Sequence, residues 1–153
     1  MSLSVGDKAP DFDLETQNGD RISLVSLRGR RVVLYWYPRD DTPGCTTEAC
    51  GFRDNLNRLA SRDVVLLGAS PDSAKSHKKF AEKFSLGFPL LADTDTSVAQ
   101  AYGVWVEKSM YGRKYMGIER TTFAIDENGI ITHIWPKVKV NGHVDEVMEA
   151  LGL

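Results

Sequence analysis

Cys45 and Cys50 stand five positions apart in a segment that reads Pro38-Arg-Asp-Asp-Thr42-Pro-Gly-Cys45-Thr-Thr-Glu48-Ala-Cys50, and the chain holds no other cysteine. A loop this small cannot staple a domain, so in a reducing compartment the pair reads as catalytic, redox-active or metal-binding rather than as a brace. Thr42 followed by Pro43 has the form of a helix start, with threonine as N-cap and proline as the first helical residue. Cys45 then falls third in the first turn, where unpaired N–H groups and the partial positive charge of the helix end favour a thiolate, the nucleophilic form. It also precedes Ala49 by four residues, at the head of an apolar stripe that recesses the sulfur. Cys50 shares another face with Arg53 and Asn57. Across an intact helix, five residues rise about 7.5 Å and turn about 140°, which sets the two Cα atoms on the order of 9 Å apart. A disulfide needs less than about 7 Å, so a bond between them would require the first turns to unwind. Gly44 and Gly51 would ease that unwinding.

The segment needs a scaffold, and its neighbours supply one. Arg31-Val-Val-Leu-Tyr-Trp-Tyr37 is a near-continuous apolar run, the pattern of a central strand buried on both faces, and it stops at Pro38. Ala49, Phe52, Leu56 and Leu59 recur at helical spacing, which predicts a helix from about Pro43 to Arg62. A second buried strand, Val64 to Ala69, is followed by Ser70-Pro71 as cap and first position of a helix running to about Phe84. Strand, helix, strand, helix is a βαβ arrangement, and ligands collect at the strand ends of such folds. Ahead of it, Asp11 to Glu15 and Arg21 to Leu24 flank an Asn18-Gly19 turn as a hairpin. Thr121 to Ile125 and Ile130 to Trp135 flank Asp126-Glu-Asn-Gly129 as another, and Val144, Val147, Met148 and Leu151 line the face of a closing helix. This order predicts an α/β, thioredoxin-like fold with an N-terminal β-hairpin extension, as one domain over residues 1–153.

Bulk properties narrow the function further. The formal net charge is only −2, which gives no pull toward nucleic acid or an anionic membrane surface. The amino-terminal segment Met1 to Pro10 carries neither an apolar core nor a cleavage motif, so a cytoplasmic location is expected. His77, His133 and His143 have no spacing that joins them to the cysteines as metal ligands and read as surface or strand residues; Trp105 and Trp135 read as packing. Arg28 to Arg31 and Lys75 to Lys79 read as solvated surface.

Pro38-x-x-x-Thr42-x-x-Cys45 resembles the active-site signature of peroxiredoxins, and Thr-Pro-Gly-Cys-Thr-x-Glu-Ala-Cys resembles the bacterioferritin comigratory, or peroxiredoxin Q, branch. The likeness extends through Val5-Gly-Asp-Lys-Ala-Pro-Asp-Phe12, Ala81-Glu-Lys-Phe84, Gly103-Val-Trp-Val-Glu-Lys-Ser109 and Glu119-Arg-Thr-Thr-Phe-Ala-Ile-Asp126. The resemblance implies a cofactor-free thiol peroxidase acting on hydrogen peroxide and alkyl hydroperoxides, recycled by thioredoxin or a glutaredoxin-like donor, with a monomer as the expected state. It matches Cys45 to the peroxidatic cysteine, Cys50 to the resolving cysteine, and Thr42 to the hydroxyl that bonds the peroxide. Pro38 matches the residue that shields the pocket and Arg120 the distant arginine beside the thiolate. Trp36 stands where many relatives have Phe.

The chemistry these assignments require is electrostatic: an attacking anion, a polarised O–O bond and a stabilised leaving oxygen. An arginine can serve two of these needs. The sulfenic acid formed at Cys45 would condense with a nearby thiol, and Cys50 is that thiol. Blander roles exist for single residues, since Thr42 also suits a plain N-cap, Arg120 a surface ion pair, and Glu48 a first-turn acid favoured by the helix dipole as readily as an active-site partner. Two rival functions are a thiol-disulfide oxidoreductase, which would want a Cys-x-x-Cys spacing, and a holdase that exposes apolar surface on unwinding.

Overall fold

The computed structural model describes residues 3–153; Met1 and Ser2 of the amino-terminal segment lie outside them. The strands in chain order are β1 (Asp13–Thr16), β2 (Arg21–Ser23), β3 (Arg31–Trp36), β4 (Val64–Ser70), β5 (Leu90–Ala92), β6 (Trp105–Met110), β7 (Arg113–Ile118), β8 (Thr121–Ile125) and β9 (Ile131–Trp135). The helices are α1 (Pro43–Asp54), α2 (Leu56–Ser61), α3 (Ala74–Phe84), α4 (Ser97–Ala101) and α5 (His143–Ala150). Seven strands form one sheet in the order β2-β1-β5-β4-β3-β8-β9, while β6 and β7 form a separate antiparallel ribbon.

β3 lies at the heart of the sheet, and its apolar run explains why. Val32 through Trp36 are all buried, because the alternating side chains enter two different cores. Val32, Leu34 and Trp36 pack on one face with Phe12, Tyr102, Val104 and Ile118. Val33 and Tyr35 pack on the other with Phe52, Leu59, Phe80, Val147 and Met148 from the helices. β3 runs parallel to β4, with Trp36 opposite Ala69, and antiparallel to β8, with Trp36 opposite Thr121. The end of β3 and the start of β8 are therefore neighbours, and each leads into a residue of chemical interest.

The expected N-terminal hairpin is present and is joined to the main sheet. β1 pairs with β2 and, on its other side, antiparallel with β5, Thr16 lying opposite Leu91. Just beyond β1 the Gln17 amide brackets the strand it meets. Its Nε2 donates to the Phe88 carbonyl at 2.9 Å and its Oε1 accepts from the Leu90 N–H at 2.8 Å.

Two boundaries differ from the sequence expectation. The helix predicted from Pro43 to Arg62 is two helices broken at Asn55, whose φ of −108° and ψ of 7° leave the helical well. The cause is local: the Asn55 side-chain amide donates to the Gly51 carbonyl at 2.9 Å, competing with the helical ladder. The next helix starts three residues after Pro71, because Ser73 rather than Ser70 is its cap, accepting from the Ser76 N–H at 3.1 Å. Ser70 remains in β4, buried, with its hydroxyl turned to Asp72. β5, α4 and the β6–β7 ribbon were not anticipated from the sequence.

Candidate active site

The loop from Tyr37 to Thr42 connects the central strand to α1, and Cys45 enters the fold from the first turn of that helix. Thr42 occupies the N-cap position with extended backbone angles, and Pro43 is the first helical residue. Thr42 does not use its hydroxyl as a cap, however; the hydroxyl donates backwards to the Arg39 carbonyl at 3.1 Å. The Thr42 side chain thus leaves the first-turn N–H groups uncapped, with the partial positive end of the helix at Cys45. Cys45 itself is 1% exposed, recessed against Ala49 and Phe52 as the apolar stripe predicts.

Arg120 reaches this sulfur from the residue immediately before β8. Its Nη2 donates to Cys45 Sγ at 3.2 Å and its Nη1 to Glu48 Oε1 at 2.7 Å. The antiparallel pairing of β3 with β8 is what makes a residue 75 positions away in sequence a contact. Gly44 is part of the same fit, since a Cβ there would lie 3.3 Å from Arg120 Nη2. Glu48 lies one turn beyond Cys45 and is fully buried, which resolves its reading in favour of a partner for the arginine rather than an exposed first-turn acid.

Burial dominates the local electrostatics. Glu48 is pushed up to about 7 by desolvation, with the Arg120 guanidinium pulling it back down only in part. The Tyr35 hydroxyl beneath the site holds its proton far more tightly than usual, through burial and the nearby Glu48 and Cys45. Among the described residues, neither the Tyr35 hydroxyl nor Glu48 Oε2 has a hydrogen-bond partner. Arg120 titrates higher than usual: burial opposes its charge, but Glu48 and Cys45 outweigh burial. Lys108, on the β6–β7 ribbon, is lowered by burial and by Arg120, which brings a second cation within the field of the sulfur.

Cys50 is a free thiol, half-buried, two turns along the intact α1. The helix between the two cysteines is continuous, so their Cα atoms stand about 9 Å apart in this conformation, as ideal helix geometry requires. Gly51 beside it has a packing reason as well, because a Cβ there would lie 3.0 Å from Val144 Cγ2 on α5. Pro38 sits in the bend just beyond β3, half-buried, on the strand side of the Thr42 loop.

Sequence reasoning missed the polar cluster behind that loop. His77, expected on the surface or in a strand, is fully buried on α3, with Nε2 donating to the Leu91 carbonyl at 2.9 Å and Nδ1 at 2.8 Å from Asp40 Oδ2. Its position one turn before Phe80, on the apolar side of the helix, was the available signal. His143 is also buried rather than superficial, paired with the Thr122 hydroxyl at 2.8 Å and held below its usual range by burial, with Glu146 opposing. His133 lies in β9, half-buried and stacked on Trp135. Among the described residues Asp40, Asp72 and His77 bring one potential ligand atom each within 4.8 Å of one another. Hydrogen bonds inside the cluster occupy those atoms, which suits anchoring better than ion binding.

A thioredoxin-like sheet that presents a recessed cysteine at a helix start, with an arginine on its sulfur, defines a class of thiol-based redox proteins. The AhpC/TSA family profile matches residues 5–134. A bcp-type peroxiredoxin of Coxiella burnetii is 56% identical over 151 residues, 99% of this chain and 100% of the relative. Peroxiredoxin Bcp of Bacillus subtilis is 48% identical over 99% of this chain and 96% of its own. Among solved structures, a cysteine-to-serine mutant of Xanthomonas campestris peroxiredoxin Q superposes with a TM-score of 0.91 at 40% identity, covering 99% of this chain and 96% of that one. A PrxQ of Xylella fastidiosa, solved with a different cysteine changed to serine, gives 0.94 at 35%, over 99% and 97%. The chain belongs to the AhpC/TSA family, in its peroxiredoxin Q/Bcp branch, and is a thiol-dependent peroxidase of the antioxidant type. Among the described residues no helix is long and apolar enough to cross a membrane.

Proposed function

We propose that Cys45 is the peroxidatic cysteine, Cys50 the resolving cysteine, and Thr42, Arg120 and Pro38 the surroundings that make the first step fast. The observation that supports this reading most is the paired donation of Arg120 to Cys45 Sγ and to Glu48, at 3.2 and 2.7 Å. In the first step the Cys45 thiolate attacks the terminal oxygen of hydrogen peroxide or an alkyl hydroperoxide. An S–O bond forms, the O–O bond breaks, the sulfur is oxidised to a sulfenic acid, and the leaving oxygen departs with a proton as water or alcohol. Arg120 and the first-turn N–H groups favour the anionic sulfur and the charge that builds on the leaving oxygen. Thr42 accepts the peroxide's own hydrogen, and Pro38 closes the strand side of the pocket.

In the second step the Cys50 thiol attacks the sulfenic sulfur, forming the disulfide and releasing water. The first turns of α1 unwind for this, because the intact helix holds the two residues too far apart. A dithiol of the thioredoxin type, or a glutaredoxin-like donor, then exchanges with the disulfide and returns both thiols. We place this cycle in the cytoplasm, with the monomer as the working unit.

Intact mass after one equivalent of peroxide tests the assignment. The native chain loses two hydrogens, Cys50→Ser gains one oxygen and stops, and Cys45→Ser leaves the peroxide unconsumed. Continued turnover by Cys50→Ser with thioredoxin would move resolution to another thiol. Peroxide consumption by Cys45→Ser would overturn the attacking residue.

A further inference from the structure

The Thr42 hydroxyl has a single proton, and that proton is given to the Arg39 carbonyl at 3.1 Å. Its oxygen is therefore left with lone pairs only, which suits it to accept an O–H but not to donate one. The direction of that acceptor depends on where the Arg39 carbonyl points. That carbonyl belongs to the same planar peptide unit as the Asp40 N–H, so fixing one end fixes the other.

The other end is fixed by Asp72. The Asp40 N–H donates to Asp72 Oδ2 at 2.7 Å, and the same oxygen accepts from the Ser70 hydroxyl at 2.8 Å. Ser70 is buried at the end of β4 and accepts in turn from the Asp72 N–H at 3.2 Å, so the carboxylate is tied to the sheet. The Asp40 side chain holds the same residue from the opposite direction. Its carboxylate accepts from Tyr37 at 2.5 Å and from Ser76 at 2.8 Å, and it meets His77 Nδ1 at 2.8 Å. Because His77 donates its Nε2 hydrogen to the Leu91 carbonyl, this whole arrangement is referred to β5 as well.

We propose that Asp72 is a positioning residue for the peroxide step, acting through the Arg39–Asp40 peptide on the Thr42 hydroxyl, and that Ser70 holds it in place. Asp72 does not touch the sulfur or the substrate in this scheme. It sets the rotation of one peptide, and that peptide sets which way an acceptor faces. The proposal rests on the reading above in which Thr42 receives the peroxide hydrogen.

The test uses Cys50→Ser as background, so that the second-order rate of Cys45 oxidation by hydrogen peroxide is read in a single turnover. Asp72→Ala lowers that rate about tenfold, the size expected when one hydrogen bond that aligns a reacting group is lost. Asp72→Asn keeps an acceptor oxygen and stays within about twofold of the parent. Ser70→Ala, a milder change that leaves the carboxylate in place, lowers the rate about threefold. In a Thr42→Val background both effects vanish, because no hydroxyl remains to be aimed; a role in general stability would persist there. Unchanged rates in Asp72→Ala and Ser70→Ala, or equal losses with and without the Thr42 hydroxyl, overturn the proposal. A Thr42→Val rate equal to the parent's overturns the underlying reading of Thr42 instead, and the two failures are distinguishable. Should Asp72→Ala not fold, Ser70→Ala carries the same comparison.

Discussion

Glu48→Gln isolates the electrostatic cost of the carboxylate that supports Arg120. The buried carboxyl is raised from 4.5 to about 7, first by desolvation, with Arg120 offsetting part of the rise. Below about pH 4.5 it is neutral in both the folded and the unfolded chain and contributes no penalty. As pH climbs toward 7 the unfolded chain ionises freely while the folded chain keeps the proton, so folded stability falls across that window. The loss levels off above the folded value at about 3 kcal/mol, since each pH unit between the unfolded and folded values is worth about 1.36 kcal/mol. Glutamine has the same shape and no titration, so its variant escapes this loss. Urea unfolding of the chain with and without Glu48→Gln, both in a Cys45→Ser background, reads the difference directly. Between about pH 5 and about pH 8 the gap should move by about 2–3 kcal/mol in favour of Glu48→Gln. Any constant cost of depriving Arg120 of its counter-ion cancels in this comparison. A gap that does not move, or that moves toward the chain retaining Glu48, would mean that Arg120 outweighs burial and keeps Glu48 ionised.

Arg120→Met removes both N–H donors while keeping apolar bulk, and it should slow Cys45 oxidation about 100- to 1,000-fold in single-turnover peroxide kinetics, the usual loss for one charge-stabilising donor. Gly51→Ala sets a helix-propensity gain of about 1 kcal/mol against overpacking onto Val144, 3.0 Å from the added carbon. The overpacking costs about 1–3 kcal/mol, so the single substitution should lower the urea midpoint. In a Val144→Ala background the same substitution should raise it. Gln17→Ala takes two bonds from the start of β5 and leaves the Leu90 N–H without its acceptor, at a cost of about 2 kcal/mol in equilibrium unfolding.

The parts of this fold that are legible in the sequence are those whose causes are local or strongly periodic. Thr42 and Pro43 mark a helix start within two residues, and the β-branched and aromatic apolar run of β3, stopped by Pro38, has the pattern of a strand buried on both sides. Of the candidate site, the α1 half, Thr42, Cys45 and Cys50, could be singled out from sequence because it lies on one short segment. Arg120 has no local mark at all; it enters through the β3–β8 pairing, and only the family resemblance singled it out. The break at Asn55 and the late start of α3 turn on single side chains, one taking the Gly51 carbonyl and the other preferring Ser73 over Ser70 as cap. β5 is too short to show a period, with three residues all buried. The β6–β7 ribbon turns at Tyr111 and Gly112, both with positive φ, and a tyrosine there gives no turn signal. The burial of His77 and Asp40 was hidden because each satisfies the other, a pairing of residues 37 positions apart.

Arg120 hangs from the sheet whereas Cys45 hangs from the first turn of a helix, and this difference has a temporal consequence. On the proposed cycle only the helical half is disassembled at each turnover, and the guanidinium waits in place for the sulfur to return. Re-forming one or two helical turns takes on the order of 1 μs or less. Encounter with a protein reductant present at about 10 μM takes on the order of 10 ms to 1 s at ordinary association rates. The site is therefore rebuilt thousands of times faster than electrons can be delivered to it, so the pace of the cycle at high peroxide belongs to the reductant's supply and not to refolding.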